Sequence, residues 1–242
     1  MALLEDGAWR GKIWTGSWTD GSGGTYTAVE PATGAELGEV GKATPADVEK
    51  AGARAAQAQR EWAALPFEQR AAVLRRAGDL LTEHAAEIKE WLARESGAIQ
   101  PFGDFQVHTS AQECYEASAL PSHPYGELLR SGSPRLSFAR RVPAGVVGVI
   151  APFNVPTILA IRAIAPALAL GNAVVLKPDP RTAICGGAVF ARVFEEAGVP
   201  AGVFQVLPGG ADVGQALVTD PAVRVIAFTG STKAGRSVGA LA

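Results

Sequence analysis

The chain has 242 residues, of which 48% are hydrophobic and 19% charged, with a formal net charge of −2. That length can bury a sizeable core in one large or two ordinary domains. With neither a basic stretch nor an acidic tail, the charge balance excludes the electrostatic footprint of a nucleic-acid-binding protein.

The opening Met1-Ala2-Leu3-Leu4-Glu5-Asp6 has neither a basic start nor an apolar run, so no secretory signal is expected. The first forty or so residues are rich in Gly, Thr and Trp with short alternating segments such as Thr25-Tyr26-Thr27-Ala28-Val29. They predict short strands, with a turn at Pro31-Ala32-Thr33-Gly34. Thr44-Pro45-Ala46-Asp47 predicts a helix start: Thr44 as cap, Pro45 in the first helical position, Asp47 in the first turn. A longer helix is predicted from about Phe67 to Arg94, where Leu74, Ala77, Leu81, His84, Ile88 and Trp91 recur at three- and four-residue steps. The polar segment Pro124–Val142, with Ser131-Gly132-Ser133-Pro134 inside it, reads as an exposed hairpin or an interdomain linker.

From Arg141 onward the pattern changes. Val146–Ile150, Ala173–Leu176, Val203–Leu207 and Val225–Phe228 are short apolar runs rich in β-branched residues. Helical segments separate them, at about Pro156–Leu170, Thr182–Ala197 and Ala211–Val218. Continuously apolar strands alternating with helices predict an α/β fold with a parallel sheet covered on both faces. The apolar stretch Ala144–Leu170 is interrupted by Pro152, Asn154, Pro156, Arg162 and Pro166, so a strand followed by a buried helix explains it better than a membrane span. Cys114 and Cys185 lie far apart without CxxC spacing, which predicts reduced thiols in a cytoplasmic protein.

Ligands of parallel sheets bind beyond the carboxyl ends of the strands. Asn154, in Ala151-Pro152-Phe153-Asn154-Val155-Pro156, falls there, and its amide could donate to a carbonyl oxygen that becomes an oxyanion. The competing reading is a turn asparagine bonding its own backbone. Lys177 ends the next strand and could reach a ribose hydroxyl or a phosphate, or be a solvated loop lysine. Phe228-Thr229-Gly230-Ser231-Thr232 leads a strand into a helix whose N-terminus suits a pyrophosphate, or is an ordinary capped turn. His84, His108 and His123 form no ligand spacing, and no metal is expected. Cys185 lies in the first turns of a helix, where the dipole can lower a thiol pKa, whereas Cys114 reads as core packing.

Taken together, VVGVI-A-PFNVP, VVLKPDP and FTGST resemble the aldehyde dehydrogenase superfamily. The steps of 23 residues from Asn154 to Lys177 and 53 from Lys177 to Gly230 fit its pattern without insertion or deletion. Ala28–Gly34, Trp62-Ala63-Ala64-Leu65-Pro66, Arg70 and Glu95-Ser96-Gly97 extend the resemblance over essentially the whole chain. Phe138–Pro143 and Leu207–Gly214 look most like the benzaldehyde-type, aromatic-aldehyde enzymes.

The resemblance implies a Rossmann-like coenzyme domain over 143–242, an N-terminal region over 1–123 that packs on it, and an oligomerisation hairpin over 124–142. It implies NAD or NADP as coenzyme, a small aldehyde as substrate, no nucleic-acid or membrane partner, and a homodimer or homotetramer in the complete form. Asn154 would be the oxyanion donor and Lys177 the contact to the adenosine ribose. Ser231 and the backbone at Gly230 would hold the pyrophosphate, Gly209 and Gly210 would lie near the adenine edge, and Pro152 and Phe153 would sit beside coenzyme and tunnel. Two departures stand out. NAD-preferring relatives often carry a glutamate three residues after the lysine; here Pro180 stands there, flanked by Asp179 and Arg181, so NADP is expected to be tolerated. The family's water-activating glutamate and cysteine nucleophile would fall roughly 10 and roughly 45 residues past Ala242. The 242 residues therefore read as the coenzyme-binding half of such an enzyme, inactive alone, or as a catalytically silent nucleotide-binding or interaction module.

Overall fold

A computed structural model describes residues 3, 4 and 7–242; Met1, Ala2, Glu5 and Asp6 of the segment read for a secretory signal lie outside the described residues. The chain opens with strands β1 (Lys12–Trp14), β2 (Trp18–Asp20), β3 (Thr25–Val29) and β4 (Glu36–Gly41). Helices α1 (Pro45–Ala64), α2 (Phe67–Glu83), α3 (Ala85–Ser96) and α4 (Gln100–Ala119) follow. After the hairpin β5 (Gly126–Leu129) and β6 (Ser137–Arg140) comes the alternating half: β7 (Val146–Ile150), α5 (Pro156–Ala169), β8 (Ala173–Lys177), α6 (Val189–Glu196), β9 (Phe204–Val206), α7 (Ala211–Thr219), β10 (Val223–Phe228) and α8 (Thr232–Leu241).

The main sheet has the order β10-β7-β8-β9-β1-β2. Its first four strands are mutually parallel, as the apolar runs predict, and β1 and β2 extend it antiparallel through Trp14↔Val206. The N-terminal region thus contributes strands to the sheet as well as helices beside it. Strands β7 and β8 are buried at every position. Their alternation sends Val147, Val149, Val174 and Leu176 into one core with α2 to α6, and Val146, Ile150, Ala173 and Val175 into a second core with α1 and α7.

Two expectations are corrected in detail. The helix expected over Phe67–Arg94 is two helices, because His84 leaves the helical region (φ −99, ψ 18) and lets the apolar stripes of α2 and α3 face the same core. The helix expected over Thr182–Ala197 begins as a 3-10 turn, Pro180–Thr182, and a π turn, Ile184–Ala188, in which Ala188 N–H donates to Ala183 C=O. Glycines at 186 and 187 let that turn pack closely on its neighbours: a Cβ there would stand 2.9 Å from Pro156 and 3.0 Å from Pro178. At the start of α1, the Asp47 carboxylate accepts from Thr44 N–H and from Ser22, fastening the helix to the loop before β3.

The segment 124–142 is a hairpin in register Leu128↔Phe138, with both side chains exposed. The two N-terminal residues singled out in the sequence, Trp62 and Arg70, have a clear task. Trp62 Nε1 donates to Leu168 C=O at 2.8 Å and Arg70 Nε to Ala169 C=O at 3.1 Å, satisfying carbonyls at the C-terminus of α5. Trp62→Ala removes that bond and about one aromatic side chain's worth of buried area, so a loss of roughly 3–5 kcal/mol is expected in urea denaturation followed by far-UV circular dichroism. A loss under about 1 kcal/mol would show that this anchor does not hold α1 to α5.

Candidate functional site

The strand order places three chain exits side by side. Phe228 pairs with Ile150 and Ile150 with Lys177, so the carboxyl ends of β10, β7 and β8 are level. Backbone bonds continue past the ends: Thr229 N–H donates to Ile150 C=O, and Ala151 N–H to Lys177 C=O. Because β8 and β9 lie on one side of β7 and β10 on the other, the topology reverses between β7 and β10. Such a reversal opens a crevice at the carboxyl edge. Pro152, Phe153 and Asn154 leave β7 on one side of it, and Gly230 and Ser231 leave β10 on the other.

Asn154 is exposed, and no side-chain hydrogen bond of its amide is found among the described residues. The turn-asparagine reading required a bond to its own backbone, and the exposed amide makes none. Lys177 is 8% exposed and donates to Pro178 C=O at 3.2 Å. An ammonium has three donors, so a nearly buried one with a single carbonyl partner has capacity for a ligand's oxygens. Burial pulls its pKa down, while Asp179 and Asp212 oppose that pull. The solvated-loop reading of Lys177 is excluded by its burial.

Ser231 caps α8, its Oγ accepting from Ala234 N–H at 3.2 Å. Gly230 packs over the Phe228 ring, where a Cβ would stand 2.5 Å from Cζ. A side chain there would push the Phe228 ring aside, whereas glycine leaves the backbone uncovered. Gly209 and Gly210 lie farther along the same edge, after β9, with Gly210 at the start of α7. The stem of Lys177 runs toward that helix: a Cβ on Gly214 would be 3.7 Å from Lys177 Cδ. All the sequence-derived site residues thus lie along one edge of the sheet.

Two arrangements were not anticipated. Phe153, expected beside a tunnel, carries the Arg181 guanidinium on its face, with Cζ 3.7 Å from the ring centroid. Arg181 is also paired with Asp179 through Nε–Oδ1 at 2.8 Å and Nη2–Oδ2 at 2.9 Å. A signal for it existed in the charged Asp179-Pro180-Arg181 following Lys177, but its aromatic partner is 28 residues away in sequence.

The second arrangement overturns the idea of an activated Cys185. Glu95, buried on α3, accepts from Ile184 N–H at 2.9 Å and from Cys185 N–H at 2.6 Å. The amides that could have stabilised a thiolate serve this carboxylate instead. Burial first, and then the neighbouring Glu95, push the Cys185 thiol well above its ordinary range. Burial pushes Cys114 up to about 12, in keeping with its reading as a core residue. Glu95 was legible as a polar residue continuing the buried steps Ile88 and Leu92. Among the described residues, no group of three His, Cys, Asp or Glu could hold a metal ion, and no helix is long and apolar enough to cross a membrane.

Residues 18–242 match the aldehyde dehydrogenase family. The chain is 67% identical over 239 residues to a vanillin dehydrogenase of Amycolatopsis sp., covering 99% of this chain and 49% of that protein. It is 48% identical to a Pseudomonas putida benzaldehyde dehydrogenase [NAD(+)], covering 97% of this chain and 48% of the other. The crystal structure of an NAD-dependent benzaldehyde dehydrogenase from Corynebacterium glutamicum superposes with a TM-score of 0.93 at 41% identity, over 97% of this chain and 52% of that one. The chain therefore spans about half the length of the curated relatives it matches.

Glu95 makes stability depend on pH. Burial raises its pKa from 4.5 to about 7, although the Cys185 and Ile184 amides pull the other way. The folded state then holds a proton that the unfolded state has released, so this contribution is fully present below about pH 4.5 and is lost as pH rises through about 7. The thermal midpoint of the wild type is expected to fall between pH 5 and pH 7.5 relative to Glu95→Gln, whose slope should be flatter. Parallel slopes for the two proteins in differential scanning fluorimetry would refute this.

Proposed function

The chain belongs to the aldehyde dehydrogenase family, and on that premise we propose that it is the coenzyme-binding half of an NAD(P)-dependent enzyme oxidising an aromatic aldehyde to the carboxylic acid. One observation carries this: the level carboxyl ends of β10, β7 and β8, which bring the Gly230, Asn154 and Lys177 exits to one crevice. The aromatic substrate class is supported by the vanillin and benzaldehyde dehydrogenases among the relatives.

The donors fit a dinucleotide. Lys177 offers unfilled N–H donors from a nearly buried position, and the backbone at Gly230 lies where a Cβ would collide with Phe228. Lys177 holds the adenosine ribose hydroxyls, and the amides at Gly230 and Ser231 hold the pyrophosphate at the start of α8. Gly209 and Gly210 give the adenine edge a surface without side chains, and Pro152 and Phe153 wall the crevice. The bound coenzyme supplies the hydride acceptor. Asn154 donates its amide N–H₂ to the aldehyde oxygen, an interaction that strengthens as that oxygen gains negative charge. Pro180 itself carries no carboxylate to repel a 2′-phosphate, and the neighbouring Asp179 is paired with Arg181, so NADP is accepted beside NAD.

Oxidation also needs a thiolate nucleophile and a base for water. Both described cysteines are buried and disfavour ionisation. These 242 residues therefore bind coenzyme without turning it over, and the nucleophile comes from residues outside them. This second reading, a silent nucleotide-binding unit, holds for the chain taken alone. Residues 1–123, 124–142 and 143–242 act as supporting region, oligomerisation hairpin and coenzyme unit. In the complete form, the exposed Leu128 and Phe138 pair would seat a homodimer or homotetramer. Two free, buried cysteines accord with a cytoplasmic location.

Isothermal titration should show NAD+ and NADP+ binding within about a hundredfold of each other. Lys177→Ala should weaken both roughly tenfold, consistent with the loss of a charged hydrogen bond. No aldehyde-dependent absorbance should appear at the reduced-nicotinamide band; turnover by the 242-residue chain would reject the silent reading. In light scattering, Leu128→Glu with Phe138→Glu should lower the association state of any oligomer without changing its circular dichroism.

A further inference from the structure

Arg181, in the turn that follows β8, has no part in the roles above. Its guanidinium is held on two sides, by both oxygens of Asp179 along one edge and by the Phe153 ring beneath its plane. The Arg181 side chain is nonetheless 63% exposed, against 19% for Asp179. A guanidinium carries five N–H donors in a rigid fork. Asp179 takes one from Nε and one from Nη2, leaving both Nη1 donors and the second on Nη2 without a hydrogen-bond partner among the described residues. Side-chain entropy, the usual cost of using an arginine, is already reduced by the two supports.

We propose that Arg181 is the residue that discriminates at the adenosine 2′ position, donating its free N–H groups to a 2′-phosphate while Asp179 and Phe153 hold it in place. This rests on the reading that Lys177 holds the adenosine ribose. Arg181 follows Lys177 by four residues in the turn after β8, and the two cations and Asp179 interact electrostatically. Asp212 shares that field. Two cations and two carboxylates leave the cluster without net charge, so an unspecific field does not attract a phosphate. Recognition must come from directed donors, and Arg181 has them. Pro180 between Asp179 and Arg181 adds neither an acceptor for a 2′-hydroxyl nor a charge that would repel the phosphate. Asp179 and Phe153 are positioning residues: each acts through the guanidinium. Because Phe153 directly precedes Asn154, the same stack also fixes the wall between the coenzyme end and the oxyanion donor.

The test compares 5′-AMP with adenosine 2′,5′-bisphosphate by isothermal titration of the full 242-residue chain, which needs no turnover. Arg181→Gln should weaken the bisphosphate roughly tenfold and leave 5′-AMP within about twofold. Arg181→Lys should restore only part of the loss, because an ammonium keeps the charge and lacks the fork. Phe153→Leu should weaken the bisphosphate roughly threefold more than it weakens 5′-AMP, through the loosened guanidinium. An unchanged bisphosphate affinity in Arg181→Gln, or equal losses for both nucleotides, would overturn the proposal. A wild-type chain that binds neither nucleotide would instead overturn the ribose site, and this proposal with it. Arg181 is exposed and contributes nothing to the core, and an unaltered thermal midpoint of Arg181→Gln shows that the variant folds.

Discussion

Everything in this molecule is referred to the parallel ladder between Val146–Ile150 and Ala173–Lys177. Both strands are buried on both faces, so neither can exist without apolar cover above and below. That constraint explains why the N-terminal helices are spread over both sides. Ala51 and Ala55 of α1 enter one core, and Leu74, Leu81 and Leu92 of α2 and α3 enter the other. It also explains the antiparallel extension by β1, which gives β9 a neighbour where a bare edge would otherwise stand.

The same ladder sets the chemistry. Parallel strands in register end together, and the residues that follow them emerge on one side of the sheet. Small differences then decide function. Glycine at 230 lets backbone approach where any side chain would strike Phe228. Lysine at 177 sits low enough to be nearly buried yet keeps donors to spare. Asn154 is exposed at the end of β7 with an uncharged amide, the kind of donor the proposed reaction calls for.

Buried polar groups outside the crevice act as fasteners. Glu95 ties α3 to the π turn, Gln205 Nε2 donates to Ala51 C=O, and Trp62 reaches the end of α5. Each joins the N-terminal region to the alternating half through a bond that water does not reach, where an unmade partner is costly. The cost is chemical as well as structural: the amides given to Glu95 are withheld from Cys185, which leaves the thiol inert.

The sequence by itself determined the strand runs, their alternation with helices, and the edge on which Asn154, Lys177 and Gly230 would lie. It could do so because these depend on local properties: apolar β-branched runs, glycine and proline punctuation, and the rule that chain exits of parallel strands share a side. It mistook His84 for helix interior, since periodicity continues across a bend that only packing reveals. Taken singly, Asn154 and Lys177 stayed open between turn or loop residue and ligand contact, and only the resemblance of the registered motifs assigned them roles; their burial and hydrogen-bond partners are not local quantities. The Arg181 stack on Phe153, the Glu95 cap over Cys185 and the joining of β1 to β9 were decided only in three dimensions. Each brings together residues between 28 and 192 positions apart, and contacts at such separations are settled by how whole layers dock rather than by any property of the segments that make them.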